Sequence, residues 1–175
     1  MVIFSIRNFF NHASTDSIES LRKELSLFVC SKNADVQSFL HNKAIDYEIS
    51  HRARTYICLN DEVEIIGFFT IGIRDLEIKS AVPKNTRKRL TYGMTDVKHI
   101  PAYLIGQLAK CDTCSDRIGK QLIETAIEYI KHSQDYVGGR VVYLDCEDAL
   151  CKFYEKLGFN YLQDNKDLKQ MIQII

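Results

Sequence analysis

Apolar residues recur with helical spacing through the first third of the chain. Residues 2–6 alternate well enough to form an edge strand, and Ser14, Thr15 and Asp16 then offer a helix N-cap. The apolar positions that follow at intervals of three and four are Ile18, Leu21, Leu25 and Phe28. A second helix is predicted over residues 33–50, and the apolar positions on its one face are Val36, Phe39, Leu40 and Ile45.

The predicted strands are rich in β-branched and aromatic residues. Residues 54–59 and 64–73 form a hairpin around the turn Asn60–Asp61, and residues 103–109 form a central strand. Residues 141–144 are a continuous apolar run that follows a helical crossover, which is typical of the interior of a sheet.

Two further helices accompany these strands. The first ends near His132, and its apolar positions are Ile118, Leu122, Ile123, Ala126, Ile127 and Ile130. The second is predicted over residues 148–157, with Gly158 as the residue that ends it. Residues 159–162 and 168–175 then form an antiparallel hairpin. This order predicts an α/β fold with a mixed sheet flanked by helices, in one domain over residues 1–175.

Composition narrows the class of protein. The 175 residues are 46% hydrophobic, and 23 basic residues balance 23 acidic ones, so no global charge points to nucleic acid or to a membrane surface. Residues 1–7 lack the basic region and cleavage site of a signal peptide, and no apolar run approaches the ~20 residues that span a bilayer. We therefore expect a cytoplasmic protein without a membrane partner.

A local basic excess lies in the otherwise neutral chain between residues 79 and 98. Its members are Lys79, Lys84, Arg87, Lys88, Arg89 and Lys98. One interpretation is a solvated loop with one short helix. The other is a docking surface for a phosphate-rich substrate, with Lys84, Arg87 and Arg89 as contacts.

Six cysteines are expected to be reduced thiols, because no secretory signal precedes them. The spacing Cys111-x-x-Cys114 is half that of a zinc site, but no second pair follows at the required distance. Zinc and a redox disulfide are therefore minor alternatives, and we predict no metal.

The segment 102–120 combines a short apolar strand, a polar turn and a helix start that contains Gly119. The first N–H groups of a helix have no partner within it, and the helix dipole is positive at that end. Such a turn suits an anion, typically a phosphate, although most strand–turn–helix units are only scaffold.

The run Phe153-Tyr-Glu-Lys-Leu-Gly-Phe159 resembles the Phe-Tyr-x-x-x-Gly-Phe signature of the Gcn5-related N-acetyltransferase (GNAT) superfamily. The resemblance extends over most of the chain from Arg54 onward. It implies a mostly antiparallel sheet with a V-shaped splay. It also implies transfer of an acetyl group from acetyl-CoA to a primary amine, by direct attack in a ternary complex.

In that family the pyrophosphate turn has the pattern Gln/Arg-x-x-Gly-x-Gly/Ala, which corresponds here to residues 114–119. Only Gly119 matches, since Cys114 and Arg117 stand at the first position and at the first glycine. Capture of phosphate by main-chain N–H groups does not depend on those side chains, and Arg117 can add a charge-assisted bond. The residues that the resemblance assigns to acetyl-CoA are Leu108, Ala109, Lys110, Cys114, Ser115, Asp116, Arg117, Ile118, Gly119 and Lys120.

Tyr154 matches the tyrosine of the family that protonates the leaving thiolate, and its alternative role is that of a packed aromatic. Because residues 103–109 contain no carboxylate, we expect the amine to lose its proton through a water that Gln107 orders. His99 and Glu147 are weaker candidates for the base. A covalent acetyl-cysteine at Cys146 is a further alternative.

Residues 28–33, with Val36, Phe39-Leu40 and residues 54–57, resemble the branch of toxins that acetylate aminoacyl-tRNA. Three alternatives therefore stay open. The acceptor is a small-molecule or protein amine, or it is aminoacyl-tRNA, in which case an antitoxin is a partner. Otherwise the chain is a catalytically silent module that binds acyl-CoA or a protein. A homodimer is compatible with each.

Overall fold

The predicted helices and strands follow one another along the chain in the predicted order, although one predicted helix is divided in two. A computed structural model describes residues 1–10, 15–94 and 96–175, so the predicted cap Ser14 lies outside the described residues. The strands are β1 (Val2–Ser5), β2 (Arg54–Leu59), β3 (Ile65–Glu77), β4 (His99–Lys110), β5 (Val141–Cys146), β6 (Asn160–Asn165) and β7 (Leu168–Ile174). The α-helices are α1 (Thr15–Ser26), α2 (Ala34–Asn42), α3 (Ala44–Ile49), α4 (Lys84–Leu90), α5 (Gly119–Ser133) and α6 (Cys151–Glu155).

The strands form one mixed sheet in the order β1-β2-β3-β4-β5-β7-β6. The pairs β1/β2, β2/β3, β5/β7 and β6/β7 are antiparallel. Strand β5 returns parallel to β4, and the ladder between them pairs Tyr103 with Val142 and Leu104 with Tyr143. The predicted mixed, mostly antiparallel sheet flanked by helices is confirmed.

The chain divides into two compact units, each built from two segments. The first unit comprises Met1–Gly72 and Gln107–Ala126, and the second comprises Ile73–Gly106 and Ile127–Ile175. Strands β3 and β4 and helix α5 therefore contribute residues to both units. The single domain over residues 1–175 stays a prediction.

Aromatic and aliphatic side chains from the first three helices, from β2 and β3 and from the segment after α1 form the core of the first unit. Phe28 and Phe68 are both buried, and their rings meet edge to face with centroids 5.3 Å apart. Glu48 is buried as well, but its carboxylate accepts hydrogen bonds from the Arg54 side chain at 2.7 Å and from the main-chain N–H of Thr55 at 3.0 Å. This buried charge is therefore fully paired.

The prediction of one continuous helix over residues 33–50 is wrong. The segment is divided at Lys43, whose backbone (φ −123°, ψ −24°) departs from the helical region, into α2 and α3. The hydrogen bonds continue across the break, since the N–H of Lys43 donates to Phe39 and its carbonyl accepts from Tyr47. The bend lets Leu40 and Ile45 both remain buried.

The predicted helix over residues 148–157 begins with a 3-10 turn, Asp148–Leu150, before α6. Gly158 ends it as predicted, with φ +89°. The N–H of Phe159 donates to the carbonyl of Tyr154 and that of Gly158 to Glu155, which is a Schellman motif. Among the described helices, none is long and apolar enough to cross a membrane.

Candidate functional site

The turn between β4 and α5 is tied to the first unit by main-chain hydrogen bonds. The N–H of Cys111 donates to the carbonyl of Ile66 at 2.8 Å, and the N–H of Asp112 donates to that of Val29 at 2.9 Å. In return, the Asp112 carboxylate accepts from the N–H of Ser31 at 2.8 Å. Hydrogen bonding from the Ser31 side chain, and then from its main chain, lowers the pKa of that carboxyl. The turn therefore begins from a fixed position.

Lys110 braces the same turn from within. Its ammonium donates to the carbonyl of Cys114 at 2.6 Å and to that of Asp116 at 3.2 Å. Two carbonyl oxygens of the turn thus point at a cation of the chain itself. The predicted cofactor residue Lys110 consequently acts on the shape of the turn.

Helix α5 begins close to the strands because position 67 has no side chain. A Cβ on Gly67 would lie 2.9 Å from Ile118 Cδ1, 3.0 Å from the carbonyl oxygen of Ala109 and 3.1 Å from Leu122 Cδ1. The close neighbour of this glycine is therefore the start of α5. Ile118, a predicted cofactor residue, is buried in this contact.

The first turn of α5 fits an anion. It carries no acidic residue, and Ser115, Asp116 and Arg117 before it are exposed, with side chains that make no hydrogen bond or ion pair to the part of the chain described. The hydroxyl, the guanidinium and the free helix N–H groups favour a phosphate, and the Asp116 carboxylate opposes it. Lys120 pairs loosely with Glu124 at 3.6 Å.

Gln107 is the first residue of the part of β4 that belongs to the first unit. Its main-chain N–H donates to the Thr70 hydroxyl at 2.9 Å. Its side-chain oxygen is buried and has no hydrogen-bond partner among the described residues. Buried acceptors are normally paired, so Gln107 Oε1 is a polar atom whose partner the described residues do not supply. Thr70 was missed from the sequence, since a threonine in an apolar strand carries no specific signal.

Tyr154 lies in the second unit and is buried between two aromatic rings. The Phe153 and Phe159 centroids lie 5.1 and 5.9 Å from its own, both in edge-on contact. Burial, with a smaller contribution from the nearby Cys146, raises the pKa of Tyr154 to about 12. The hydroxyl is protonated at neutral pH, as it also would be at the ordinary tyrosine pKa of 10.0, and a proton donor needs this state.

The other candidates for catalysis lie in the second unit too. Burial, helped by Cys151 beside it, raises the pKa of the Cys146 thiol to about 12, which disfavours the thiolate needed for a covalent acetyl-cysteine. His99 is exposed and its Nδ1 lies 2.7 Å from the Asp75 carboxylate. Glu147 is exposed at the end of β5.

The predicted basic segment contains the short helix α4. Lys84, Lys88 and Arg89 are exposed on it, whereas the Arg87 guanidinium turns inward. Arg87 Nη2 donates to the carbonyl of Ser80 at 2.7 Å, with longer bonds to Lys79 and Val82. The structure thus gives Arg87 a role in holding residues 79–82.

A cleft of about 370 Å³ opens beside α4 within the second unit. Its lining residues are Thr86, Arg89, Gly158, Asn160, Tyr161, Ile172, Gln173 and Ile174. Its only formal charge is that of Arg89. Within residues 1–10, 15–94 and 96–175, no group of three histidine, cysteine or acidic side chains is placed to hold a metal ion.

No protein-family model matches the chain, and no curated protein matches its sequence. Solved structures are similar to it. AtaT complexed with acetyl-methionyl-tRNAfMet is 19% identical, with a TM-score of 0.69 over 86% of each chain. A bacterial toxin is 18% identical, with a TM-score of 0.74 over 99% of this chain and 91% of its own.

A third similar structure is a tyrosine-to-phenylalanine mutant of AtaT bound to the C-terminus of the antitoxin AtaR and to acetyl-CoA. It is 19% identical, with a TM-score of 0.65 over 86% of this chain and 84% of its own. These toxins have the GNAT fold. At such identities the likeness shows the fold, and the predicted GNAT fold is confirmed.

Proposed function

We propose that this chain is an acetyl-CoA-dependent N-acetyltransferase. The observation that carries the proposal is the turn before α5, which is fixed by Ile66 and Val29, braced by Lys110 and free of acidic residues in the helix's first turn. It occurs in a GNAT fold, and one similar structure contains acetyl-CoA.

The residues of the turn have separate roles in the proposal. The N–H groups at the start of α5, the Ser115 hydroxyl and Arg117 hold the pyrophosphate, while the strand residues Leu108 and Ala109 lie along the pantetheine arm. When bound, acetyl-CoA supplies an activated thioester to an amine. Tyr154 gives its proton to the thiolate that leaves, and Gln107 Oε1 accepts from the water that deprotonates the amine.

Calorimetry and thermal denaturation of the reduced protein test the cofactor. We expect binding of acetyl-CoA and of CoA, and a rise in Tm with ligand concentration, because a ligand of the native state stabilises it. An amine scan with a thiol-release assay then separates an enzyme from a silent acyl-CoA-binding module. Absence of stabilisation at millimolar acetyl-CoA contradicts both.

For the acceptor we propose aminoacyl-tRNA. Support comes from the exposed Lys84, Lys88 and Arg89 on α4 and from the similar AtaT structure, which is a complex with acetyl-methionyl-tRNAfMet. Cations on one short helix suit a phosphate backbone. An antitoxin partner belongs to this proposal, since another AtaT structure includes the C-terminus of AtaR. A homodimer stays a prediction.

Replacing Lys84, Lys88 and Arg89 together by alanine should weaken binding of charged tRNA. It should also reduce the dependence of log Kd on log salt by about 1 for each phosphate that the variant no longer neutralises. Acetyl-CoA binding should not change. The matched control replaces the exposed Lys23, Lys131 and Lys152, which removes the same charge elsewhere. Equal losses in both variants, or normal growth of cells that express the wild type, contradict a tRNA-acetylating toxin.

A further inference from the structure

Two cysteines lie within the turn assigned to acetyl-CoA, and the proposed reaction uses neither thiol. Residues 111–114 form a β-turn in which the N–H of Cys114 donates to the carbonyl of Cys111 at 3.2 Å. The two Cα atoms of such a turn lie within about 7 Å, and disulfides span Cα distances of about 4.4–6.8 Å. The backbone therefore already places the pair close to the separation that a disulfide requires.

The two thiols differ in their exposure to solvent. Cys114 is partly exposed, and its sulfur lies 3.8 Å from the carbonyl of Asp116. Cys111 is buried, with its sulfur 3.2 Å from the Thr113 hydroxyl. The Cys114 thiol can therefore react with a reagent from solution, and the buried Cys111 thiol can then react with Cys114 in the second step of a thiol exchange.

The surroundings of Cys111 also favour its thiolate. Burial alone would raise the pKa of this thiol, but hydrogen bonds from Thr113 and from the main chain of Val29 outweigh burial and lower it. The neighbouring cysteines behave differently. Burial raises the pKa of Cys30, and it raises that of Cys58 to about 11. The thiols of Cys30 and Cys58 are therefore held in the less nucleophilic protonated state, in contrast to that of Cys111.

We propose that Cys111 and Cys114 form a reversible disulfide that switches off acetyl-CoA binding. This inference rests on the proposed function, because it regulates the same turn.

With a peroxide as oxidant the step balances. The Cys114 thiolate attacks one peroxide oxygen, which gives a sulfenic acid and hydroxide. The Cys111 thiolate then attacks the sulfur of Cys114 and displaces a second hydroxide. Two thiols and one hydrogen peroxide thus become one disulfide and two waters, and a dithiol reductant reverses the change.

The disulfide alters the turn through interactions that are present in the reduced state. Cys111 must leave the Thr113 hydroxyl, and Cys114 must leave the carbonyl of Asp116. The Cys114 carbonyl also accepts from Lys110, so its displacement disturbs the brace. The residues that precede the α5 N–H groups then move, and the phosphate site loses its shape.

The test has two independent measurements on the full chain. Peptide mapping by mass spectrometry after treatment with hydrogen peroxide should find the Cys111–Cys114 link, which dithiothreitol removes. Calorimetry on the same samples should show acetyl-CoA affinity about tenfold weaker or more after oxidation, and restored after reduction.

Variants identify the pair. In Cys111→Ser the ratio of oxidised to reduced affinity should be near one, whereas Cys151→Ser, a partly exposed cysteine of the second unit, should keep the wild-type ratio. A linked peptide with Cys30 or Cys58, no linked peptide, or a disulfide without loss of affinity overturns the proposal. If reduced wild type binds no acetyl-CoA, the proposed function fails instead, and the mapping still decides whether the disulfide forms.

Discussion

At the scale of single residues, the structure separates side chains that the sequence makes look alike. Lys84, Arg87 and Arg89 belong to one basic run. Lys84 and Arg89 are exposed, whereas the Arg87 guanidinium donates hydrogen bonds to the carbonyls of residues 79, 80 and 82. Gln107 and Gln163 are both glutamines on strands, but Gln163 Oε1 accepts from the N–H of Lys79, while Gln107 Oε1 has no partner in the described chain. Residue type alone cannot predict which polar groups form hydrogen bonds within the fold.

Tyr154→Phe should leave the Kd for acetyl-CoA within about twofold and lower kcat by about 10²- to 10⁴-fold, the usual contribution of a general acid. The ring contacts with Phe153 and Phe159 survive the change, so the fold should be retained. Thiol-release kinetics and calorimetry measure both quantities.

The control is Tyr136→Phe, since Tyr136 is 91% exposed. Unchanged turnover in Tyr154→Phe would remove the proton-donor role and leave Tyr154 as a packed aromatic.

At the scale of elements, hydrophobic spacing predicted almost every helix and strand because each has one face in a core. The failures have the same origin. The apolar face of residues 33–50 continues through Lys43, so spacing cannot reveal that the backbone bends there. Strand β3 extends to Glu77, beyond the predicted residue 73. The polar Arg74 and Asp75 interrupt the apolar pattern in the sequence without interrupting the strand.

The candidate site was predictable only in part. Gly119 and the strand–turn–helix order predicted the position of the candidate anion site, and that site stays a prediction. By contrast, the hydrogen bond that the Ser31 N–H donates to the Asp112 carboxylate joins residues 81 positions apart in the chain. No local pattern encodes such a contact, so the sequence could not reveal this hydrogen bond, which helps to fix the turn.

Helix α5 gives a prediction at this scale. Gly67→Ala introduces a Cβ within 3.0 Å of Ile118 and of the Ala109 carbonyl, so the start of the helix must shift. We expect a loss of about 1–3 kcal/mol in the free energy of unfolding and weaker binding of acetyl-CoA.

The matched control is Gly138→Ala, where a Cβ would have no neighbour within 4 Å. That change should be neutral or slightly stabilising. Urea denaturation and calorimetry on both variants make the comparison, and equal stability of the two contradicts the close packing of α5 on Gly67.

For the molecule as a whole, two buried thiols and a buried tyrosine predict that the free energy of unfolding falls at alkaline pH. Burial raises the pKa of Cys58 from 9.0 to about 11, of Cys146 from 9.0 to about 12 and of Tyr154 from 10.0 to about 12. Above pH 9 the unfolded chain therefore loses protons that the native chain keeps. The contribution of these groups is fully present below pH 9 and is lost progressively as the pH rises to about 12.

The free energy of unfolding should fall between pH 9 and 12, by up to about 1.4 kcal/mol per pH unit for each group that titrates. Urea denaturation at intervals of half a pH unit measures the slope. Cys146→Ala should make the slope shallower, and Cys151→Ser, on a partly exposed thiol, should change it less. A flat profile up to pH 11 contradicts the burial of these groups.

The way the two units share the chain has a consequence for the gene. Residues 107–126 of the first unit are encoded after residues 73–106 of the second. A stop codon or frameshift in the intervening stretch therefore removes the end of β4, the Cys111–Cys114 turn and the start of α5 along with most of the second unit. Any continuous piece of the coding sequence that includes all of one unit also includes part of the other, so neither unit can be inherited or duplicated alone.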